Sequence, residues 1–146
     1  GRNVVYFAAA SNAVQVIHFV MEHLVRRDDM QQMLNHADQD GNTPLHVACS
    51  NGYLNSVLAL QKYNIILNAI NVNGRTALHN AAARGDPEVV SILCNSGADV
   101  MARDEDDETP LWVTCRAGHL SVLKILIQKG ATVDEDSEKN PLLHIA

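Results

Sequence analysis

Residues 43–48 read Thr-Pro-Leu-His-Val-Ala, and the closely similar stretch Thr-Ala-Leu-His-Asn-Ala occupies residues 76–81. A third version, Thr-Pro-Leu-Trp-Val-Thr, occupies residues 109–114. The three versions stand at equal intervals, since Thr76 lies midway between Thr43 and Thr109. Self-similarity at a fixed interval of this length is typical of a solenoid, in which one supersecondary unit is repeated along the chain.

The residue types in this stretch predict a helix that begins at the threonine. A threonine hydroxyl can accept a hydrogen bond from the first free N–H groups of a helix. Pro44 and Pro110 stand next, where a missing N–H costs little. A glycine follows each helix at the same offset from its threonine and can adopt the left-handed conformation that ends a helix. These glycines are Gly52, Gly85 and Gly118.

A second helix is predicted after each of these glycines, because apolar residues follow at helical spacing. The clearest example lies within residues 120–126. Asn64, Gly97 and Gly130 would end the second helices, and the polar stretch before the next threonine would form a hairpin loop. One helix pair of this size cannot bury its apolar faces alone, so the pairs must stack.

On these residues the chain resembles the ankyrin repeat family, whose recognised pattern is Thr-Pro-Leu-His-x-Ala in a unit of about 33 residues. The resemblance implies an all-α fold: an ankyrin-repeat solenoid of stacked helix-turn-helix pairs joined by hairpin loops, forming a single domain over residues 1–146. It implies full repeats at 38–70, 71–103 and 104–136, a degenerate repeat at 3–37 and a partial repeat at 137–146.

The first repeat departs from the ankyrin pattern in its length. Ser11 and Ser50, which end similar segments, stand further apart than one repeat, and this spacing indicates roughly six inserted residues. We place the insertion at 28–34, as a short extra turn capped by Asp29.

Two single substitutions also break the pattern. Asp107 replaces the glycine present at Gly41 and Gly74, so we expect the third hairpin to be less regular, or to be held by something bound. Trp112 replaces the motif histidine, so the hydrogen bonds of an imidazole are lost there. This tryptophan either packs locally or anchors a partner, since Trp and Arg dominate binding hot spots.

Composition excludes several classes of protein. Apolar residues make up 47% of the chain and charged residues 19%, so a buried core is possible. The formal net charge of −6 argues against nucleic acid or an anionic membrane as the main partner. No apolar run approaches the ~20 residues of a membrane span, and the chain start lacks the features of a signal peptide. Three widely separated cysteines indicate reduced thiols and an intracellular location, cytoplasmic or nuclear.

Both ends of the sequence look cut from a longer chain, because it opens with Gly1 and stops just after an apolar segment. Neither end has the polar outer face that a terminal repeat needs. We therefore expect further repeats in the parent protein, on at least the C-terminal side, and fraying from residue 137 onward.

The histidines and cysteines predict structural roles rather than a catalytic or metal site. His46, His79 and His144 share one register. Stacked helices lie about 8–10 Å apart, whereas zinc ligands lie about 2 Å from one metal. We expect the imidazoles to tie a helix start to the neighbouring hairpin, and Cys49 and Cys115 to be small core groups. No catalytic sequence motif is present, so we predict a protein that is not an enzyme and holds no metal or cofactor.

Two acidic runs, at 104–108 and 134–138, fall in successive loops that stacking would bring side by side as one acidic ridge. They serve either solubility alone or electrostatic contact with a basic segment of a partner. A divalent cation bound there by chance is a further alternative.

The ankyrin resemblance implies a concave recognition face formed by the first helices and the hairpin tips. Carried over to this sequence, the expected partner-binding residues are Ile70, Val72, Asn73, Arg75, Arg84, Arg103, Glu105, Asp106, Glu108, Trp112 and Arg116. We predict a non-catalytic module that recognises a protein or peptide partner by rigid display of this groove. The alternative is a regulatory or scaffolding arm of a larger enzyme or channel that contacts its own polypeptide.

Overall fold

The part of the chain that the computed structural model describes, residues 3–63 and 65–132, folds into paired helices. The first pair is α1 (Val4–Ala10) with α2 (Val14–Phe19), and α2 continues as a π-helix at Val20–Leu24. A 3-10 turn (Arg27–Asp29) and α3 (Met30–Asn35) follow. The later pairs are α4 (Pro44–Ser50) with α5 (Leu54–Gln61), α6 (Ala77–Arg84) with α7 (Pro87–Asn95), and α8 (Pro110–Ala117) with α9 (Leu120–Gln128). These residues contain no strand, and the predicted all-α fold is confirmed.

The first helix of each later pair begins and ends where the sequence predicted. The hydroxyl oxygens of Thr43, Thr76 and Thr109 accept hydrogen bonds from the backbone N–H three residues later, at 3.3 to 3.4 Å. The glycines that follow adopt the left-handed conformation, with φ of 69° at Gly52, 83° at Gly85 and 80° at Gly118. Local hydrogen bonding and backbone freedom therefore set the bounds of these helices.

The pairs stack in two layers. In the layer of first helices, α4 packs against α1 and α6, and α6 packs against α8; in the other layer, α5 lies between α2 and α7, and α7 packs against α9. The first helix of each later pair has a buried leucine at the same register, and only 1–2% of its surface is exposed. These residues are Leu45, Leu78 and Leu111. Each such side chain contributes roughly 1.5–3 kcal/mol. The core is therefore a column that runs along the stack.

The first repeat keeps this architecture with asparagines in place of the usual residues. Oδ1 of Asn3 accepts a hydrogen bond from the backbone N–H three residues later at 2.8 Å, as the threonines do. Asn12 adopts φ of 55°, where the later repeats have glycine. Asn3 and Asn12 therefore align with Thr43 and Gly52 of the next repeat. This spacing exceeds a repeat of about 33 residues by about seven, so the insertion is one residue longer than the serine spacing suggested.

The extra residues lie in the segment that contains the 3-10 turn and α3, but the predicted cap is wrong. Asp29 precedes α3, yet its side chain makes no capping hydrogen bond. Its backbone is already helical, with φ of −97° and ψ of −4°, whereas Thr43 is extended with ψ of 170°. An N-cap side chain reaches the first N–H groups from the extended conformation.

The third hairpin is as regular as the other two, so the expected distortion at Asp107 is wrong. The N–H of Asp104 donates to the carbonyl of Glu108, and the N–H of Asp107 donates to the carbonyl of Asp104, both at 3.0 Å. The same two bonds close the hairpins that begin at Asp38 and Asn71. Asp107 reaches this turn by adopting φ of 64°. Oδ1 of Asp104 also accepts from two backbone N–H groups of the hairpin at 2.9 Å, and these bonds hold the turn.

Successive hairpins lie so close that glycine is required for a second reason. The N–H of Val72 donates to the carbonyl of Asp40, and that of Glu105 to the carbonyl of Asn73, both at 2.9 Å. A Cβ atom on Gly41 would stand 2.9 Å from backbone atoms of the second hairpin, and a Cβ atom on Gly74 2.9 Å from the third. The two glycines therefore permit both a positive φ and this contact between backbones.

Residues 133–146 lie outside the described part of the chain, as does Asn64. The second acidic run, His144, the partial repeat and the fraying expected from residue 137 fall there. These predictions, like the bounds of the repeats, stay predictions.

The hairpin geometry predicts opposite effects at two equivalent positions. Gly74→Ala places a Cβ atom on a residue with a left-handed backbone and brings that atom too close to the backbone of the third hairpin. We expect this substitution to lower the free energy of unfolding by about 2 kcal/mol or more. Asp107→Gly removes the penalty, and we expect a gain of about 1 kcal/mol in urea denaturation. A loss of stability on Asp107→Gly would mean that the ion pair between Arg103 and Asp107, at 3.2 Å, outweighs the relief of backbone strain.

Candidate functional site

The motif histidines fasten each repeat to the next hairpin. Nδ1 of His46 accepts a hydrogen bond from the backbone N–H of Thr43 at 3.2 Å, and Nε2 lies 2.8 Å from the carbonyl oxygen of Arg75. His79 repeats both contacts, with Thr76 and with the carbonyl of Glu108. A neutral ring with its proton on Nε2 satisfies both partners. The sequence predicted this structural role.

Burial opposes charge on these imidazoles and on the thiols. It is the largest cause that lowers the pKa of His46 and His79. It also raises the pKa of Cys49, Cys94 and Cys115, so none of these thiols is activated as a nucleophile. Within the described residues, no three His, Cys, Asp or Glu side chains stand together as a set that could hold a metal ion.

Two arginines and two carboxylates form an arginine–carboxylate cluster at the base of the third hairpin. Nε of Arg75 lies 3.2 Å from Oδ2 of Asp104, and its Nη2 lies 3.7 Å from Oε2 of Glu108. Nη1 of Arg116 lies 3.1 Å from Oε1 of Glu108. The cluster consists of Arg75, Asp104, Glu108 and Arg116, and it joins the second full repeat to the third.

Burial separates the acids of residues 104–108, which the sequence suggested would form one exposed ridge. The side chains of Asp104 and Glu108 are buried, the latter only 8% exposed, whereas Glu105, Asp106 and Asp107 are exposed. Burial also raises the pKa of the Glu108 carboxyl, although the charge of Arg116 opposes this effect. Glu108 therefore lies where it can orient two guanidinium groups, beneath the surface that a partner could touch.

Trp112 and Arg116 form a second contact of the same surface. The guanidinium carbon of Arg116 lies 4.9 Å from the centre of the Trp112 ring, which is within cation–π distance. Trp112 is half-buried and still receives the threonine cap, since its backbone N–H donates to Oγ1 of Thr109 at 3.3 Å. Arg116 is thus held between an aromatic face and the carboxylate of Glu108.

The tips of the second and third hairpins present different chemistry side by side. Ile70 and Val72 are 63% and 59% exposed and give the second tip an apolar surface. Glu105 and Asp106 give the third tip an acidic surface. The bond from the N–H of Glu105 to the carbonyl of Asn73 fixes the two tips against each other. We call the exposed residues Ile70, Val72, Asn73, Glu105 and Asp106 the tip surface.

Arg84 and Arg103 do not belong to the arginine–carboxylate cluster, although Arg103 lies beside the third hairpin. Arg84 extends back over Gly52 and donates from Nη1 to the carbonyl of Ser50 at 3.3 Å, near the C-terminal ends of α4 and α6. Arg103 folds onto its own hairpin, where Nη1 lies 3.2 Å from Oδ1 of Asp107. The structure therefore brings most of the expected residues together near the starts of α6 and α8 but leaves Arg84 at the other end of α6.

Asp104 is the residue of this site that sequence reasoning missed, since it was read only as part of an acidic run. A signal was present in the spacing. Asn71 donates to the side chain of Asn42 at a separation of 29, and Arg75 contacts Asp104 at the same separation. Positions with this separation therefore meet across successive hairpins.

Comparison with known proteins identifies the repeated unit. A model described as ankyrin repeats in three copies matches residues 5–104, and a single ankyrin repeat model matches residues 106–138. A relative in Caenorhabditis elegans, the transient receptor potential cation channel subfamily A member 1 homolog, is 40% identical over 48 residues. That match spans 33% of this chain and 4% of the relative, so the chain corresponds to a small part of it. None of the helices in the described residues has the length and apolar content needed to cross a bilayer.

The histidine contacts predict that acid destabilises the fold. The unfolded chain takes up protons near the ordinary imidazole pKa of 6.5, whereas His46 and His79 resist protonation in the fold. Their stabilising contribution is therefore complete above pH 6.5 and is lost as the pH falls through their lowered pKa values. Urea denaturation should show a fall of up to about 1.4 kcal/mol per pH unit for each histidine.

Two further points make the pH experiment specific. The raised pKa of Glu108 acts in the opposite sense, because the fold binds that proton more tightly, so its effect would reduce the fall above the ordinary carboxyl pKa of 4.5. The ring resonances of His46 and His79, followed by NMR, should titrate below 6.5. Titration of either ring above that value would contradict the prediction.

Trp112→His tests whether the tryptophan contributes to folding or to binding. The new imidazole can rebuild the contact with Thr109 that His46 and His79 make with their own threonines, so we expect the melting temperature to be unchanged or slightly raised. If Trp112 anchors a partner, the same variant loses about 2 kcal/mol of binding energy in a titration with that partner. A sharply lower melting temperature would show instead that the ring belongs to the core.

Proposed function

Because the chain belongs to the ankyrin repeat family, whose repeats are generally protein–protein interaction modules, we propose that it binds a protein partner through its tip surface. Ankyrin repeat domains are typically non-catalytic, and we propose that this one is as well. The single observation that carries the proposal is the contact between an apolar hairpin tip and an acidic one. We propose an intracellular location, cytoplasmic or nuclear, in agreement with the three free thiols.

The chemistry of the tip surface favours a partner segment in which an apolar residue stands beside basic ones. Ile70 and Val72 offer an apolar contact that water covers in the free protein. Ion pairs engage the carboxylates of Asp104, Asp107 and Glu108 with arginines, so the tip owes its negative charge to Glu105 and Asp106. A Lys or Arg side chain of the partner would complement that charge.

The arginine–carboxylate cluster supports this function by fixing the surface before binding. The backbone carbonyl of Glu108 lies 2.8 Å from Nε2 of His79, and its side chain accepts a hydrogen bond from Arg116 and forms a longer ion pair with Arg75 at 3.7 Å. A surface that is already ordered loses little conformational freedom when a partner binds. Arg75, Arg103, Trp112 and Arg116 would then form the floor of the site.

Two outlying regions would extend the contact. A partner segment that continues along the first helices would reach Arg84, which stands exposed at the C-terminal end of α6. The sequence predicts a loop at the acidic run 134–138, and this loop would lengthen the negative surface. Both extensions belong to the proposal and predict a partner segment longer than a single tip.

A display experiment tests the partner chemistry even while the partner is unidentified. Peptides selected from a random library on the 146-residue chain should be enriched in Lys or Arg next to Leu, Ile or Phe. Their association rate should fall steeply with added salt. The pair Glu105→Gln and Asp106→Asn should slow association roughly tenfold and flatten the salt dependence.

Glu88→Gln is the matched control, because Glu88 is an exposed acid in the first turn of α7, away from the hairpins. This variant should bind the selected peptides as the unaltered chain does. Enrichment of acidic peptides, or equal binding by the variant that lacks both tip carboxylates, would reject the tip surface as the site.

A second candidate function follows from the relative in Caenorhabditis elegans, which by its name is a cation channel subunit. The chain would then be a regulatory or scaffolding arm that contacts other parts of its own polypeptide. The selected peptide sequence separates the two functions, since a match within the parent polypeptide favours the arm and a match in another protein favours the free module.

A further inference from the structure

Four large apolar side chains form an exposed face at the N-terminal end of the stack. Val4 and Phe7 lie on α1, and Val16 and Phe19 lie on α2. Each is between 45% and 57% exposed. Part of the Phe19 ring is covered by His23, whose ring centre is 4.8 Å away. We call these four residues the N-terminal face.

The alignment of the first repeat with the second shows what these positions do elsewhere. With Asn3 at the register of Thr43, Val4 and Phe7 correspond to Pro44 and Val47, and Val16 and Phe19 correspond to Ser56 and Ala59. In the later repeats the same four positions are buried or half-buried. They are Pro44, Val47, Ser56 and Ala59, then Ala77, Asn80, Val89 and Ile92, then Pro110, Val113, Val122 and Ile125.

Two hydrogen bonds show that these positions contact the preceding repeat. Ser56, at the register of Val16, donates from Oγ to Oδ1 of Asn12 in the first repeat at 2.7 Å. Asn80 is at the register of Phe7, and its Nδ2 donates to the carbonyl oxygen of His46 in the preceding repeat at 3.5 Å. The N-terminal face is therefore the continuation of an interface that recurs along the array.

We propose that the N-terminal face is an interaction surface that receives a further ankyrin-type helix pair, stacked before α1. The residue types support this occupant. A repeat that ends a solenoid needs a polar outer side, whereas this one carries two valines and two phenylalanines at the interface positions. Such a patch on a protein surface marks an interaction site.

The interfaces between the described repeats indicate which residues the added helix pair should carry. Each first helix that is followed by a further described repeat has a pair of small buried residues near its end: Ala8 and Ala9, Ala48 and Cys49, or Ala81 and Ala82. Small residues allow close approach, and the phenylalanines of the N-terminal face need that space. A second copy placed face to face would instead oppose Phe7 and Phe19 with the same bulky rings.

A graft onto the full chain tests the proposal. Residues 38–75 are placed directly before Asn3, so that Asn3 takes the place of Thr76. This segment is chosen because Gly74 at its end permits the close approach of the following hairpin, which Asp107 in the next repeat would not. Hydrogen exchange read by mass spectrometry should show amides of α1 and α2 exchanging roughly tenfold more slowly than in the ungrafted chain.

The matched control carries the same graft together with Phe7→Gln and Phe19→Gln. These changes remove the apolar contacts but leave the helices able to form, so the slowing should be lost. No slowing in the first graft, or equal slowing in both, would overturn the proposal.

Two measurements on the ungrafted chain keep the proposal testable if the graft does not fold. Phe7→Gln with Phe19→Gln should change the melting temperature by less than about 2 °C, since both side chains are more than half exposed and their ring contacts are edge or tilted ones, with Tyr6 at 6.1 Å and His23 at 4.8 Å. A larger fall would mean that the rings already pack within the chain, and would overturn the proposal. Sedimentation should show a monomer, and a dimer abolished by the same substitutions would place a second copy on this face instead.

Discussion

One neutral imidazole per interface holds the middle of this molecule together. Nδ1 of His46 accepts from the start of its own helix, and Nε2 reaches the hairpin of the next repeat. His79 makes the same pair of contacts, with the N–H of Thr76 and with the carbonyl of Glu108. The position of the third hairpin, and with it the side chain of Glu108, therefore depends on a ring that must stay buried and uncharged. The arginines that Glu108 orients depend on it in turn.

The features that the sequence predicted best are those that a single residue determines locally. A threonine before a helix caps its first N–H groups, and a glycine after it supplies the left-handed backbone that ends it. Thr43, Thr76 and the left-handed glycines take the predicted places. Asn3 and Asn12 supply the same oxygen acceptor and the same left-handed backbone in the first repeat, but asparagine is less specific than threonine or glycine. The serine alignment therefore missed the length of the insertion by one residue.

The features that sequence reasoning missed depend on contacts between repeats. The run at 104–108 looks uniform in the sequence, yet Asp104 and Glu108 face arginines and are buried while Glu105 and Asp106 face water. Asp107 keeps the regular turn by adopting a left-handed backbone, and the side chain of Asp104 holds this hairpin as those of Asp38 and Asn71 hold the other two. Apart from the separation of 29 residues between Arg75 and Asp104, the linear sequence carries none of this. A repeat sequence predicts the unit well, whereas the binding chemistry resides in how one unit touches the next.

The bonds that join successive repeats differ, and that difference has a mechanical consequence. The first junction is held by the Tyr6 hydroxyl on Asp38 at 2.6 Å, and the next two by the imidazoles on backbone carbonyls at 2.8 Å. In an array pulled from its two ends the load passes through every junction in series. Within the described residues, α1 would therefore separate from α4 by breaking a bond between a hydroxyl and a carboxylate, whereas α4 from α6, and α6 from α8, would separate by breaking a bond between an imidazole and a backbone carbonyl.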